Sequence, residues 1–131
     1  MLPVPLSHLG LVALGGAVGA GGRFLAVHWV SELFARGRLP WGTFAVNVIG
    51  SFLIGVVIMA TIDHAGMSRT RLLLVTGILG GFTTFSAFSF EMSEMLIDKR
   101  YGAALGYSMG SVVISVLATL AGALLTREFM R

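Results

Sequence analysis

The chain contains no cysteine, and this absence excludes a disulfide, a thiolate metal site and a cysteine nucleophile. Charge is scarce as well, since Asp, Glu, Lys and Arg together make up 11% of the residues, whereas soluble domains average about 25%. The net charge of +3 is spread over loops and chain ends, so a nucleic-acid-binding surface is not expected. With 56% hydrophobic residues over a length of 131, the composition indicates a membrane protein.

Catalytic motifs are also absent from the sequence. It has no Gly-x-Ser-x-Gly elbow, no phosphate-binding loop, no His–Glu metal motif and no pair of intramembrane carboxylates for proton relay. The histidines, His8, His28 and His64, lie near span ends without metal-ligand spacing, so we expect solvated or capping roles for them. The sequence therefore predicts a protein that is not an enzyme.

Four apolar segments approach or exceed the roughly 20 residues that cross a bilayer as a helix. They cover about 9–30, 42–62, 72–97 and 101–126. The first segment lacks a preceding Lys/Arg region, so we interpret it as a retained span rather than a cleaved signal. The predicted fold is an all-α membrane protein, with residues 1–131 forming a single four-helix transmembrane domain.

The third segment contains a stretch that is unfavourable for a continuous helix. Gly77, Gly80 and Gly81 each cost about 1 kcal/mol relative to alanine in a helix, and the Thr83–Thr84 hydroxyls can replace backbone partners. A break near 77–84 is therefore predicted. Non-helical backbone at membrane depth survives only inside protein or beside a water-filled cavity, so a break indicates a functional site. The alternative is a small-residue face that packs against another helix.

Two other segments carry polar residues at four-residue spacing, which places their side chains on one helix face. The stripe on the second segment comprises Thr43, Asn47 and Ser51, and the stripe on the fourth comprises Tyr107, Ser111, Ser115 and Thr119. The Asn47 amide either contacts another helix or offers N–H donors to an anion. Neutral donors can replace water around a small anion without trapping it, so the stripes favour an anion pathway.

Charged and aromatic residues near these stripes allow further interpretations. Arg23 lies inside the first segment, where it either snorkels to the interface or attracts an anion in a vestibule. Glu91 and Glu94 follow the break on adjacent turns, and solvated carboxylates are the simpler interpretation for both. Phe85 and Phe88 could direct their positive ring edges toward an anion.

The basic residues outside the spans are divided equally between the two ends of the predicted helices. One end holds Arg69, Arg71, Arg127 and Arg131, and the other holds Arg36, Arg38, Lys99 and Arg100. An equal division removes the usual orientation signal, so two oppositely oriented copies could pair in the membrane. Carbonyls freed at the two breaks could then cage a hard cation. The alternative is that a small protein has equal counts of basic residues at its two ends by chance.

Three motifs occur along the chain: Gly15-Gly16-x-x-Gly19-Ala20-x-x-Arg23, Trp41-Gly42-Thr43-x-x-Val46-Asn47-x-x-Gly50 and Gly77-x-x-Gly80-Gly81-x-Thr83-Thr84-Phe85-Ser86-x-Phe88. Together they resemble the small Fluc (CrcB-type) fluoride channels of microorganisms, and the resemblance covers essentially the whole chain. The third motif is highly specific, whereas the first would be weak alone.

The resemblance implies a dual-topology homodimer in the cell (inner or plasma) membrane, with two antiparallel fluoride pores and a central structural sodium ion. It implies that Gly80 and Thr83 offer backbone carbonyls to sodium and that Arg23 lies in the vestibule. The implied pore residues are Thr43, Asn47, Phe85, Phe88, Glu91, Tyr107, Ser111 and Ser115. The implied partners are fluoride, a second copy in the opposite orientation and membrane lipid, with no nucleic acid.

Two other functions remain open from the sequence. A dual-topology drug or cation exporter needs an acidic residue within the first span, and the acid nearest to it is Glu32 at its end. A purely structural assembly subunit would explain the hydrophobicity but not the polar stripes.

Overall fold

The computed structural model describes residues 4–63 and 68–131. His64 and part of the connection between the second and third predicted spans lie outside the described residues. The helical elements are α1 (Leu6–Leu33), α2 (Trp41–Ala60), α3 (Ser68–Arg71), a π-helix (Leu72–Leu79), α4 (Gly80–Phe82), α5 (Phe85–Ile97) and α6 (Tyr101–Phe129). Over the two described ranges there is no β-strand.

Four helical segments are long and apolar enough to cross a membrane: α1, α2, the third span Arg69–Ile97 and α6. The prediction of an all-helical protein with four such segments is confirmed. Large apolar side chains such as Leu53 and Leu117 are exposed along these helices. A bilayer is as apolar as a protein core, so this exposure is what a membrane-embedded chain requires.

The helices pack as two close pairs, α1 with the π-helix and α2 with α6. Glycine permits the close approach in both pairs, because a Cβ added at Gly19 would collide with the Ile78 carbonyl, and one at Gly55 would collide with the Thr119 carbonyl. Helices α2 and α6 run parallel, so both begin at the same end of the molecule.

The third span leaves the helical conformation at two residues only. Thr83 (φ −84°, ψ 158°) and Thr84 (φ −153°, ψ 123°) are extended, while helix α4 ends just before them and α5 begins just after. Gly77 lies in the π-helix, and Gly80 and Gly81 lie in α4. The glycines therefore keep helical dihedral angles, and the extended residues are the two threonines.

Side chain-to-backbone hydrogen bonds stabilise the two threonines. The Thr83 hydroxyl donates to the Leu79 carbonyl (2.9 Å), four residues earlier. The Thr84 hydroxyl accepts a hydrogen bond from the Ala87 N–H (3.2 Å) and so caps the first turn of α5. Threonine is one of the preferred N-cap residues, because its oxygen satisfies an N–H that the helix leaves without a partner.

Two arginines hold the ends of the helices together. Arg71 donates to both the hydroxyl (2.7 Å from Nε) and the carbonyl of Thr61, which follows α2. At the opposite end, Arg100 donates from Nη2 to the Arg38 carbonyl (2.7 Å) and joins the connection after α1 to the start of α6. Each contact satisfies a carbonyl that lies outside a helix.

Candidate functional site

The Asn47 side chain reaches from α2 to the extended backbone of the third span. Its Nδ2 donates to the Thr84 carbonyl (3.0 Å), and its Oδ1 accepts from the Thr84 N–H (2.8 Å). In a continuous helix the Thr84 N–H would instead donate to Gly80. The amide thus replaces helical partners, and its second N–H is left for another acceptor.

Glu91 on α5 accepts hydrogen bonds from two of the other helices. Thr43 on α2 donates to Oε1 (2.5 Å), and the Tyr107 hydroxyl on α6 donates to Oε2 (2.7 Å). Thr43 and Tyr107 are buried, while Glu91 is half-buried. The two donors stabilise a carboxylate within a span, where it would otherwise be costly. This arrangement differs from the simple solvated carboxylate considered for Glu91.

A cavity of about 320 Å³ opens beside the extended threonines. Its polar lining combines three features that the sequence showed separately: the polar stripe of α2, the extended threonines and the polar stripe of α6. The polar residues around it are Asn47, Ser51, Thr83, Thr84, Ser111 and Ser115. The structure therefore brings together side chains that are far apart in sequence.

Ser111 differs from the other residues of this cavity. It is only 7% exposed, and its Oγ has no hydrogen-bond partner within the described residues. A buried hydroxyl without a partner costs about 1–3 kcal/mol, so natural proteins rarely keep one without a reason. Thr119, from the same stripe, instead donates to the Ser51 carbonyl (3.0 Å) and the Ser115 carbonyl (3.1 Å), which makes it a packing contact.

Phe85 and Phe88 line the same cavity at the start of α5. Their ring centroids are 5.6 Å apart, and Phe88 also lies 5.3 Å from the ring of Tyr107. Phe88 is half-buried in this aromatic row, whereas the Phe85 side chain is 78% exposed in the single chain. The three rings therefore extend from the cavity to Tyr107, whose hydroxyl donates a hydrogen bond to Glu91.

A second cavity of about 830 Å³ lies on the other side of Thr84, which lines both cavities. Its charged residues are Arg23 from α1 and Glu91 from α5. Arg23 is half-buried and makes a long 3.5 Å contact from Nη1 to the Thr83 carbonyl. The guanidinium therefore points toward the extended residues as well as lining an open space.

Two contacts were not predicted from the sequence. The Ser86 hydroxyl lies 3.1 Å from the Thr84 hydroxyl and lines the second cavity, and Glu91 is shared between Thr43 and Tyr107. Glu94, by contrast, is exposed on α5 and lines neither cavity. No signal in the sequence separates the two carboxylates, because residues three apart lie on the same helix face, one turn from each other.

The backbone oxygens predicted to hold a cation belong to Gly80, the first residue of α4, and Thr83, which directly follows it. Gly80 is exposed. In a continuous helix its carbonyl would accept from the Thr84 N–H, but this N–H donates to Asn47 instead. The Thr83 carbonyl accepts only the long contact from Arg23 among the hydrogen bonds of the described residues. Carbonyl oxygens are suitable ligands for a hard cation. The described part of the chain contains no cluster of three His, Cys, Asp or Glu residues for a metal.

Four apolar helical spans, with two open cavities between them that polar side chains line in part, define a small multi-pass membrane protein. The profile of the family described as "CrcB-like protein, Camphor Resistance (CrcB)" matches residues 10–123, and the chain belongs to this family.

Several relatives carry the name "Fluoride-specific ion channel FluC". The protein of Phenylobacterium zucineum is 46% identical over an alignment of 124 residues that covers 90% of this chain and 94% of that protein. The protein of Hahella chejuensis is 43% identical over 121 residues (92% and 94% of the two chains), and that of Thermus thermophilus is 42% identical over 112 residues (86% and 87%). These names are those of an ion channel, which supports the prediction that the chain is not an enzyme.

Proposed function

We propose that this protein is a fluoride-selective channel through which cytoplasmic fluoride leaves the cell passively. The names of its relatives support a fluoride channel. The observation that carries the proposal for this chain is the unsatisfied Ser111 hydroxyl, buried beside a cavity that also contains the Asn47 amide. Both groups are neutral donors, which can replace the water around a small anion without binding it too tightly to leave.

Fluoride passes, in this proposal, from the cavity beside Asn47 along the aromatic row of Phe85 and Phe88 to the region of Glu91. The ring edges of phenylalanine carry partial positive charge, so they can contact an anion without offering a full charge. Thr43 and Tyr107 donate to Glu91 in this structure, and the same hydroxyls are available to an anion when the carboxylate turns away. Ser115 continues the donor lining on α6, and Arg23 attracts the anion electrostatically.

The working unit in this proposal is a homodimer of two oppositely oriented copies with two pores, built around a broken third helix. Exposed Gly80 and Phe85 at the extended threonines provide a surface that a second copy can cover. The equal numbers of basic residues at the two ends are compatible with insertion in both orientations. If a variant with added arginines at one end keeps full activity without an oppositely biased partner, this arrangement is wrong.

A sodium ion at the centre of the dimer completes the proposal. The Gly80 and Thr83 carbonyls of each copy would hold it, and the bound ion would neutralise carbonyl dipoles that converge there. Their freedom from helical partners supports this assignment. Removing sodium should then lower the thermal stability of the purified dimer, with potassium at equal ionic strength as the control.

Fluoride efflux from proteoliposomes tests the function directly. A fluoride electrode would follow release after a potassium ionophore is added, with chloride release as the control. Rapid fluoride release with negligible chloride release would support the proposal. Absence of release from protein shown to be folded and dimeric would contradict it, and a proton-coupled exporter assay would then test the remaining transport function.

A further inference from the structure

An apolar groove of about 190 Å³ lies between α2 and α6, and it shares no lining residue with either of the two cavities described above. Its lining includes Trp41 and Phe44 from α2 and, from α6, Gly106, Tyr107, Gly110 and Ile114. A Cβ added at either glycine would meet no atom within 4 Å. The groove is thus open space at the surface of a span rather than a gap in a packed core.

The groove begins at the end of the molecule that carries a cluster of cations. Arg38 immediately precedes Leu39, which lines the groove, and Arg100 precedes the first turn of α6. The basic cluster is defined here as Arg36, Arg38, Lys99 and Arg100. The hydrogen bond from Arg100 to the Arg38 carbonyl (2.7 Å) joins the two connections that carry these residues.

No residue of the basic cluster forms an ion pair within the described residues. The one ion pair found there joins Arg131 to Glu128, at the other end of the molecule. Two exposed acidic residues lie nearby: Asp98, and Glu32, which lines a surface pocket together with Arg36. Neither forms an ion pair with the cluster. The first turns of α2 and α6 also contain no acidic residue, so their N-terminal dipoles add to the positive potential.

We infer that this surface binds an acidic glycerophospholipid, with its anionic headgroup at the basic cluster and an acyl chain in the groove. Charge complementarity selects the headgroup, because Lys and Arg beside the end of a span attract anionic lipid. The open groove accepts the chain, and Trp41 lies where an interfacial tryptophan is expected. Tyr107 is the one residue that lines the groove and also belongs to the proposed ion pathway. The test measures contact with lipid rather than ion flux, so the inference stands or fails independently of the ion transported.

Tryptophan fluorescence can detect an acyl chain in the groove. The protein has two tryptophans, so Trp29→Phe, at an exposed position of α1, leaves Trp41 as the single reporter. The full-length protein would be reconstituted in nanodiscs containing phosphatidylglycerol or phosphatidylcholine with identical brominated acyl chains. We expect phosphatidylglycerol to quench Trp41 at a lower mole fraction than phosphatidylcholine.

Matched variants separate the headgroup from the acyl chain. Arg38→Gln with Lys99→Gln should raise the phosphatidylglycerol fraction needed for half-quenching by about fivefold per cation removed, whereas Arg69→Gln with Arg127→Gln, at the other end, should leave it unchanged. Gly106→Leu should reduce quenching by either lipid by filling the groove, whereas Gly21→Leu, at an open position on α1, should not. Each variant would first be checked for an unchanged chromatographic profile.

Other outcomes would overturn the inference. Equal quenching by the two lipids would exclude a selective headgroup site. Absence of quenching by both would mean that a second copy of the chain, rather than lipid, covers the groove. Equal effects of the two double variants would attribute the lipid preference to net charge instead of to the basic cluster.

Discussion

The Asn47 side chain pairs with the backbone of Thr84 through both of its polar groups, at 3.0 Å and 2.8 Å. The residues lie 37 positions apart in the chain. This pairing lets the third span adopt extended backbone at membrane depth without leaving the Thr84 N–H and carbonyl unsatisfied, which hydrocarbon would penalise by several kcal/mol per group.

Asn47→Asp should abolish fluoride efflux and lower thermal stability. A carboxylate can still accept from the Thr84 N–H, but its second oxygen would face the Thr84 carbonyl and add negative charge to the pathway. The loss of one partly buried donor corresponds to about 1–3 kcal/mol of unfolding free energy. Proteoliposome efflux and thermal unfolding would be measured together, and normal efflux would remove Asn47 from the pathway.

Ser111→Ala should reduce fluoride efflux while leaving stability unchanged or slightly increased. The hydroxyl is buried without a partner, so its removal eliminates an unsatisfied group and breaks no hydrogen bond within the described residues. Ser108→Ala is the matched control, because the Ser108 hydroxyl donates to the Leu105 carbonyl on the same helix (3.0 Å). A marked loss of stability in Ser111→Ala would mean that this hydroxyl has a structural partner.

Phe88→Ile should abolish fluoride efflux in protein that still folds. Isoleucine retains apolar bulk but has no ring edge to contact an anion, and it ends the aromatic row between Phe85 and Tyr107. Phe129→Ile serves as the control, since Phe129 is exposed at the end of α6. Equal efflux from both variants would show that the ring of Phe88 has no role in transport.

Glu91→Gln should slow efflux and destabilise the contact between α5 and its neighbours. Glutamine has one acceptor oxygen in place of two, so either Thr43 or Tyr107 would lose its acceptor. Hydrogen bonds to charged groups contribute about 1.5–3 kcal/mol. A double-mutant cycle with Tyr107→Phe should therefore be non-additive, while Glu94→Gln, an exposed position on the same helix, should change neither efflux nor stability.

Gly19→Ala should destabilise the protein by about 1–3 kcal/mol, because the added methyl group would collide with the Ile78 carbonyl and force α1 away from the third span. Gly21→Ala, with nothing within 4 Å of its added Cβ, should be neutral or stabilise the helix by up to about 1 kcal/mol. Thermal unfolding in detergent would compare the two variants. Equal midpoints would mean that the close approach at Gly19 is not required.

Hydropathy and residue spacing are local properties, and they were sufficient to locate four long apolar helices and the polar stripes on the second and fourth. The specific motif around Thr83 and Thr84 also identified the family, which the profile match and the relatives confirm. These features follow from the chain alone, because the length of an apolar run and the helical period do not depend on which helices become neighbours.

Only the tertiary structure distinguished residues that look equivalent in sequence. Ser111 and Thr119 belong to one stripe, yet Thr119 faces the Ser51 carbonyl of α2 while Ser111 has no partner in the described residues. Glu91 receives two donors from other helices, whereas Glu94 faces outward. Periodicity predicts the helix face on which a side chain lies, but it does not predict which group of another helix lies opposite. Hydrogen bonding between helices depends on which faces pack together, so only the tertiary structure identifies the partners.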